Sequence, residues 1–161
     1  LGTKYTKIFK CFWYKIYNMA GIAEHRRRIK EHLEEIEDAI DIGIEKRPAT
    51  IGFHVVACVM DMLELYLHKA GLISTGKTVK HTWFKRPRPG QKILPLIDRK
   101  LPVHFPGKDR IFNLIYSLEE RRDSLIYGKS TREDVERVLK IFLKVKRALV
   151  EKLKEVGEEI E

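Results

Sequence analysis

Five of the six prolines lie between Gly76 and Gly107, at positions 87, 89, 95, 102 and 106; the sixth is Pro48. A proline inside a helix removes a backbone hydrogen bond and clashes with the preceding turn, at a cost of about 3 kcal/mol or more. Long regular helix is therefore excluded from the middle of the chain and permitted on either side. The flanks show the matching periodicity. Ile22, Ile29, Leu33, Ile36, Ile40 and Ile44 recur at the spacing of one helix face, predicting a first helix over 22–45 that Pro48 closes. Residues 49–70 are apolar on most sides, as in a central helix, and Gly71 stands where a helix C-terminus favours a left-handed residue. Within the proline-rich segment KILPLIDRK has room for one short helix. The pattern resumes over 108–127. Ser130 and Glu133 then have capping-box spacing before a last amphipathic helix through Val135, Val138, Phe142, Val145, Leu149 and Leu153. Nothing alternates with period two for long enough to argue a sheet. The expectation is an all-α helical bundle of four main helices with a long proline-rich crossover.

A chain of 161 residues suits one domain, large enough to bury a core without metals or disulfides. Cys11 and Cys58 are lone thiols with no zinc spacing, which points to a reducing cytoplasm. The longest apolar stretch, around VVACVM, is interrupted by His54, Asp61 and Glu64, so no bilayer-spanning segment is expected. Residues 1–18, LGTKYTKIFKCFWYKIYN, place Tyr5, Ile8, Phe9, Phe12 and Ile16 at helical spacing among four lysines. Such a stretch reads as a membrane-surface helix, as an extra helix packed on the domain, or as sequence upstream of a natural start at Met19. The expected organisation is a basic aromatic extension over 1–18 and a single helical domain over 19–161, with a membrane not expected as partner.

Charge is unevenly spread. Residues 77–110 carry ten basic and two acidic side chains, whereas 19–76 is net acidic and 111–161 is balanced. Most of the surplus of +9 thus sits in one central segment. Within it, HTWFKRPRPGQK combines Lys85, Arg86, Arg88 and Lys92 with Trp83 and Phe84. Cations attract a phosphate backbone and exposed rings stack on unpaired bases, so Trp83 and these four cations, with Arg121, form a candidate nucleic-acid surface. The alternative is that the two aromatics pin the loop to the bundle while the cations face water or the acids of the first helix.

Two other signals carry less. Residues 71–78, GLISTGKT, satisfy the phosphate-loop pattern G-x-x-x-x-G-K-[ST]. That loop needs a buried strand before the glycines and a helix opening at the Lys-Thr, whereas here a helix precedes and two prolines follow. Gly71 reads better as a helix cap and Lys77 as part of the basic loop. Asp61 and Glu64, three apart on the central helix, can share a metal or a proton, but no Glu-x-x-His or His-x-x-x-His pairing accompanies them. The six histidines look scattered, and His25 with His32 is a two-turn repeat. Structural or solvated roles are expected, with no metal and no cofactor.

The sharpest feature is RRDSLIYG, residues 121–128, at the end of the fourth helix. In this the chain resembles the HEPN family, whose helical bundles carry an arginine, an adjacent polar residue, and a histidine beyond a gap of four to six residues. Arg122 matches the arginine and Asp123 the polar position, while Tyr127 stands where the family has histidine. The resemblance extends loosely over residues 22–156. It implies a dimer whose two motifs face one cleft, and either metal-independent ribonuclease activity, RNA or nucleotide binding, or a non-catalytic role beside a minimal nucleotidyltransferase in a toxin–antitoxin pair. In that chemistry the guanidinium holds the scissile phosphate and Asp123 orients it. A phenol, with a reference pKa near 10, is a poor general base near neutral pH, so tyrosine weakens the nuclease reading more than the binding one. Five residues of helix also rotate by about 140°, so Arg122 and Tyr127 converge only if the helix loosens near Gly128 or a second subunit supplies one of them. The competing expectation is that Arg122 pairs with Glu119 or the acidic first helix while Tyr127 caps the core.

Overall fold

The computed structural model describes residues 3–74 and 76–160, with side chains from Gly21 onward. Five helices, α1 (Thr3–Ile42), α2 (Pro48–Lys69), α3 (Leu96–Lys100), α4 (Lys108–Tyr127) and α5 (Arg132–Glu155), make an all-α bundle with no strand among the described residues. The four long ones are those the periodicity predicts. The central helix α2 packs against α1 on one side and against α4 and α5 on the other, while α4 and α5 also pack together. Ile51, Val55, Val59, Met62, Leu63 and Leu67 of α2 are all fully buried, which accounts for its lack of a polar face.

Several boundaries differ from the sequence expectation. The first helix begins at Thr3, so the stretch expected as a separate extension runs continuously into it; the side chains of residues 1–18 lie outside the described ones. Its end is set by Gly43, at φ 124°, rather than by Pro48, which instead opens α2. Proline suits a first helical turn, where its missing N–H has no partner to lose. The capping box sits one residue later than expected. Thr131 Oγ1 accepts from the Asp134 backbone N–H at 3.2 Å, and Asp134 Oδ2 accepts from the Thr131 N–H at 2.8 Å. Aspartate can do here what glutamate usually does. By length and composition α2 is long and apolar enough to cross a bilayer, contrary to the sequence reading, but 78% of its most apolar window is buried inside the bundle.

The crossover is anchored rather than free. Gly71, at φ 70°, turns the chain out of α2. Phe84, in a short 3-10 turn over His81–Phe84, is fully buried, with its ring edge-on to Phe112 at 5.2 Å and to Tyr116 at 5.8 Å. Ile97 of α3 and Leu101 just after it are also fully buried. Burying one such side chain stabilises by about 1.5–3 kcal/mol, enough to hold a proline-rich strand of chain in place without hydrogen-bonded structure.

Beyond α5 the chain turns at Gly157, and Glu158, only 3% exposed, meets Arg26 of α1 and Lys69 at the end of α2. Arg26 Nε donates to Glu158 Oε2 at 2.9 Å. The Arg26 hydrogen bond is the main reason the Glu158 carboxyl is held below its ordinary value of 4.5, with Lys69 adding to it. A carboxyl depressed on folding contributes stability that is complete above its unfolded pKa and lost as pH falls through the folded one. Glu158→Gln is therefore expected to cost about 1–2 kcal/mol near pH 7. Urea midpoints of the two proteins should converge as the pH is lowered well below 4.5; a gap that persisted there would rule out the ionic origin.

Candidate phosphate-binding helix end and a buried histidine seam

The RRDSLIYG segment ends α4 and is pressed against the start of α2. A Cβ on Gly52 would lie 2.9 Å from Leu125 Cβ, 3.2 Å from Ile126 Cγ1 and 3.4 Å from the Arg122 carbonyl oxygen. Only glycine lets the two backbones come so close. Gly52→Val is expected to force them apart at about 1–3 kcal/mol, read as a lowered denaturation midpoint. A neutral result would place the close approach elsewhere.

Arg122 meets neither partner that would have absorbed it. Glu119 is taken by His81, whose Nδ1 lies 3.0 Å from both carboxylate oxygens. On α1, Glu31 pairs with Arg27, and just beyond the helix Glu45 pairs with Arg132. Among the described residues the carboxylate that meets Arg122 is its neighbour Asp123, 3.1 Å away and itself 63% exposed. The Arg122 side chain is nevertheless mostly covered, at 13% exposure. Beside it, Arg121 Nε is buried without a hydrogen-bond partner, the one such side-chain atom among the described residues. An orphaned buried N–H costs about 1–3 kcal/mol unless an acceptor arrives.

Tyr127 does not cap the core; it is 80% exposed. The helix stays regular through Tyr127, with Gly128 N–H donating to the Ser124 carbonyl at 3.1 Å. Arg122 and Tyr127 thus remain about 140° apart around α4, and one chain does not bring Arg122, Asp123 and Tyr127 onto a single face.

The basic connector divides. Phe84 is in the core and Trp83 is half-buried against it, so Phe84 offers no ring for stacking. Arg86 lies over the Tyr116 ring, 5.0 Å from its centre, and its Nε donates to Glu120 at 2.6 Å. These residues anchor the loop to α4. Lys85, Arg88 and Lys92 stay exposed and meet no carboxylate at ion-pair distance among the described residues. The phosphate-loop match is spread over the exit from α2, and no helix opens at Lys77 and Thr78. A shallow cavity of about 560 Å³, lined by His104, Phe105, Gly107, Lys108, Asp109 and Arg110, lies at the opposite end of α4 from Arg122.

A second polar cluster lies between α1 and α2. Asp61, 8% exposed, receives His25 Nδ1 at 2.8 Å and Arg28 Nε at 3.0 Å, with His32 Nε2 3.4 Å away. Burial alone would raise the Asp61 carboxyl, but hydrogen bonds from His25, His32 and Arg28 together hold it well below the usual carboxylate range. His32 Nδ1 continues to His54 Nδ1 at 2.9 Å, and His25 Nε2 faces Glu64 Oε2 at 3.5 Å. Burial pushes Glu64 up and both His54 and His68 down. The buried Cys58 thiol, pushed up to about 12 by burial, is no nucleophile. Four of the six histidines that look scattered in sequence, His25, His32, His54 and His68, gather along one seam. A signal for it exists: His25 and His32 are seven apart, and so are His54, Asp61 and His68. Two-turn repeats on adjacent antiparallel helices can meet, and Glu64 stands one turn before His68.

Comparison with known proteins finds no family model, no curated protein and no solved structure that matches this chain.

Removing Asp61 would leave Arg28 and two buried imidazoles facing one another. Asp61→Ala is expected to cost about 3–5 kcal/mol, measured by chemical denaturation, because it uncouples a buried charge cluster. A cost under about 1 kcal/mol would show that the seam does not organise the α1–α2 contact.

Proposed function

We propose that this is a HEPN-like helical protein that binds the phosphate groups of RNA or of a nucleotide at the C-terminal end of α4, as a cytoplasmic homodimer. One observation carries the reading: consecutive arginines near the end of α4, Arg121 with a buried unpartnered Nε and Arg122 paired, among the described residues, with no carboxylate but that of its exposed neighbour Asp123. An anion would satisfy both. The 140° between Arg122 and Tyr127 calls for two copies, so that the exposed phenol of one chain comes beside the arginines of the other. There Tyr127 donates a hydrogen bond or stacks on a base. Lys85, Arg88 and Lys92 extend the positive surface along a bound strand. Binding is the primary activity; any cleavage is weak and metal-independent.

Anisotropy titrations of labelled single-stranded RNA, and of ATP as a nucleotide, at two salt concentrations test this. Each phosphate neutralised on a single strand contributes a slope of about −0.7 in log K against log salt. Arg122→Ala is expected to weaken binding by at least about tenfold and flatten the slope by about one contact, and any cleavage seen in EDTA should disappear with it. Unchanged affinity in Arg122→Ala would overturn the site. Absence of salt-dependent binding to either probe would favour a protein-interaction subunit, for instance one partnering a minimal nucleotidyltransferase.

A further inference from the structure

The seam between α1 and α2 holds a set of ligating atoms that phosphate binding does not use. His25 Nε2 and Glu64 Oε2 are 3.5 Å apart, and with a ring nitrogen of His68 they form a trio whose atoms all lie within 4.8 Å of one another. At 3.5 Å the first two make no good hydrogen bond. Bonds of about 2.0–2.1 Å at a tetrahedral angle put neighbouring ligand atoms about 3.3–3.4 Å apart, so the observed spacing is close to one edge of a zinc-like site. A modest movement of His68, the least buried of the three, closes the other edges.

Two of the three also have their remaining polar atom held. His25 Nδ1 is 2.8 Å from Asp61 Oδ1, and Arg28, which also approaches Nδ1 at 3.0 Å, has its own acceptor in Asp61 at 2.9 Å. That network assigns the proton to Nδ1 and leaves the Nε2 lone pair facing Glu64. Glu64 Oε1 accepts from the Val79 N–H at 2.7 Å, which leaves Oε2 on the histidine side. The Lys77 main chain approaches His68 and partly offsets the downward push of burial on its imidazole. Outer partners of this kind orient metal ligands and fix the imidazole tautomer.

We propose that His25, Glu64 and His68 form a three-ligand site for a divalent transition metal of the zinc class, with Asp61 positioning His25 and residues 77–79 closing the site. Two imidazoles and one carboxylate suit such an ion, whereas calcium and magnesium seek shells of oxygen. Three protein ligands leave a fourth position for water.

The test uses tag-free full-length protein stripped with a chelator and titrated with cobalt(II), then with zinc(II). One equivalent of cobalt should develop the visible bands of a tetrahedral ion, zinc should displace it, and zinc should raise the melting temperature. His68→Gln, at a half-buried position, and the isosteric Glu64→Gln should each lower cobalt affinity by at least about 100-fold with the helical circular dichroism retained. His104→Gln, exposed and remote, should titrate like the unaltered protein. Failure of the unaltered protein to take up one equivalent, or a His68→Gln protein titrating like it, would reduce the trio to a hydrogen-bonded cluster. Because the α4 end shares none of these residues, the metal result and the RNA result can fail separately.

Discussion

A carboxylate buried on the central helix is the constraint to which the rest of the structure answers. Asp61 sits where burial alone would neutralise it, and it stays charged because one face of α1 delivers three donors, His25, Arg28 and His32. Their spacing of three and four residues is a single helical stripe, so sliding α1 by one residue would withdraw all three together. Among the described residues α1 packs on α2 and not on α4 or α5. Apolar contacts such as Ile29 and Ile36 bind it there, and the polar seam adds contacts whose geometry depends on the register. Arg26 with Glu158 and Glu45 with Arg132 then tie that fixed helix to the C-terminal part of the chain.

The same seam explains the segment that spells a phosphate loop. The chain leaves α2 through the left-handed Gly71, and beyond it the Val79 N–H reaches Glu64 and the Lys77 main chain reaches His68. The backbone polarity that a true phosphate loop would direct at an anion is directed here at two side chains of the preceding helix. A short motif reports which residues permit a tight turn; it does not report what the turn faces. The connector after it shows a related division of labour. Arg86 and Phe84 are used internally, against Tyr116 and Phe112, and the charge left for a partner lies on Lys85, Arg88 and Lys92.

The fold was legible because its signals are local and redundant. Proline placement, the apolar stripe of α5 and the all-round apolarity of α2 each mark their helices without reference to any other element. The errors fell where one residue decides between neighbours: Gly43 rather than Pro48 ends α1, and Thr131 rather than Ser130 caps α5. The histidine seam was harder to see because it exists only between helices. His25 and His32 belong to α1 and His54, Asp61, Glu64 and His68 to α2, so that, Glu64 and His68 apart, the partners lie on different segments. The seven-residue spacing common to both helices is the trace it leaves in sequence. At the α4 end the residues were legible but their mutual geometry was not, since it depends on how far the helix stays regular.

That regularity bears on chemistry as well as geometry. A proton-transfer site needs its acid or base within hydrogen-bond reach of the group it serves, and α4 points Tyr127 into solvent while Arg122 lies largely covered. No rotamer of either residue cancels 140° of helical rotation. In the proposed dimer a second copy would supply the missing face through the exposed Tyr127, and a joint site assembled in that way would fix a phosphate more readily than it would time a proton. Guanidinium binding tolerates displacements of the anion because its donors are many and its charge is permanent. General base catalysis tolerates neither misplacement nor the basicity of a phenol, which is ionised only to a small extent near neutrality. On the proposed reading, a tyrosine at position 127 and the straightness of α4 therefore count in the same direction, toward binding of a polyanion and away from its cleavage.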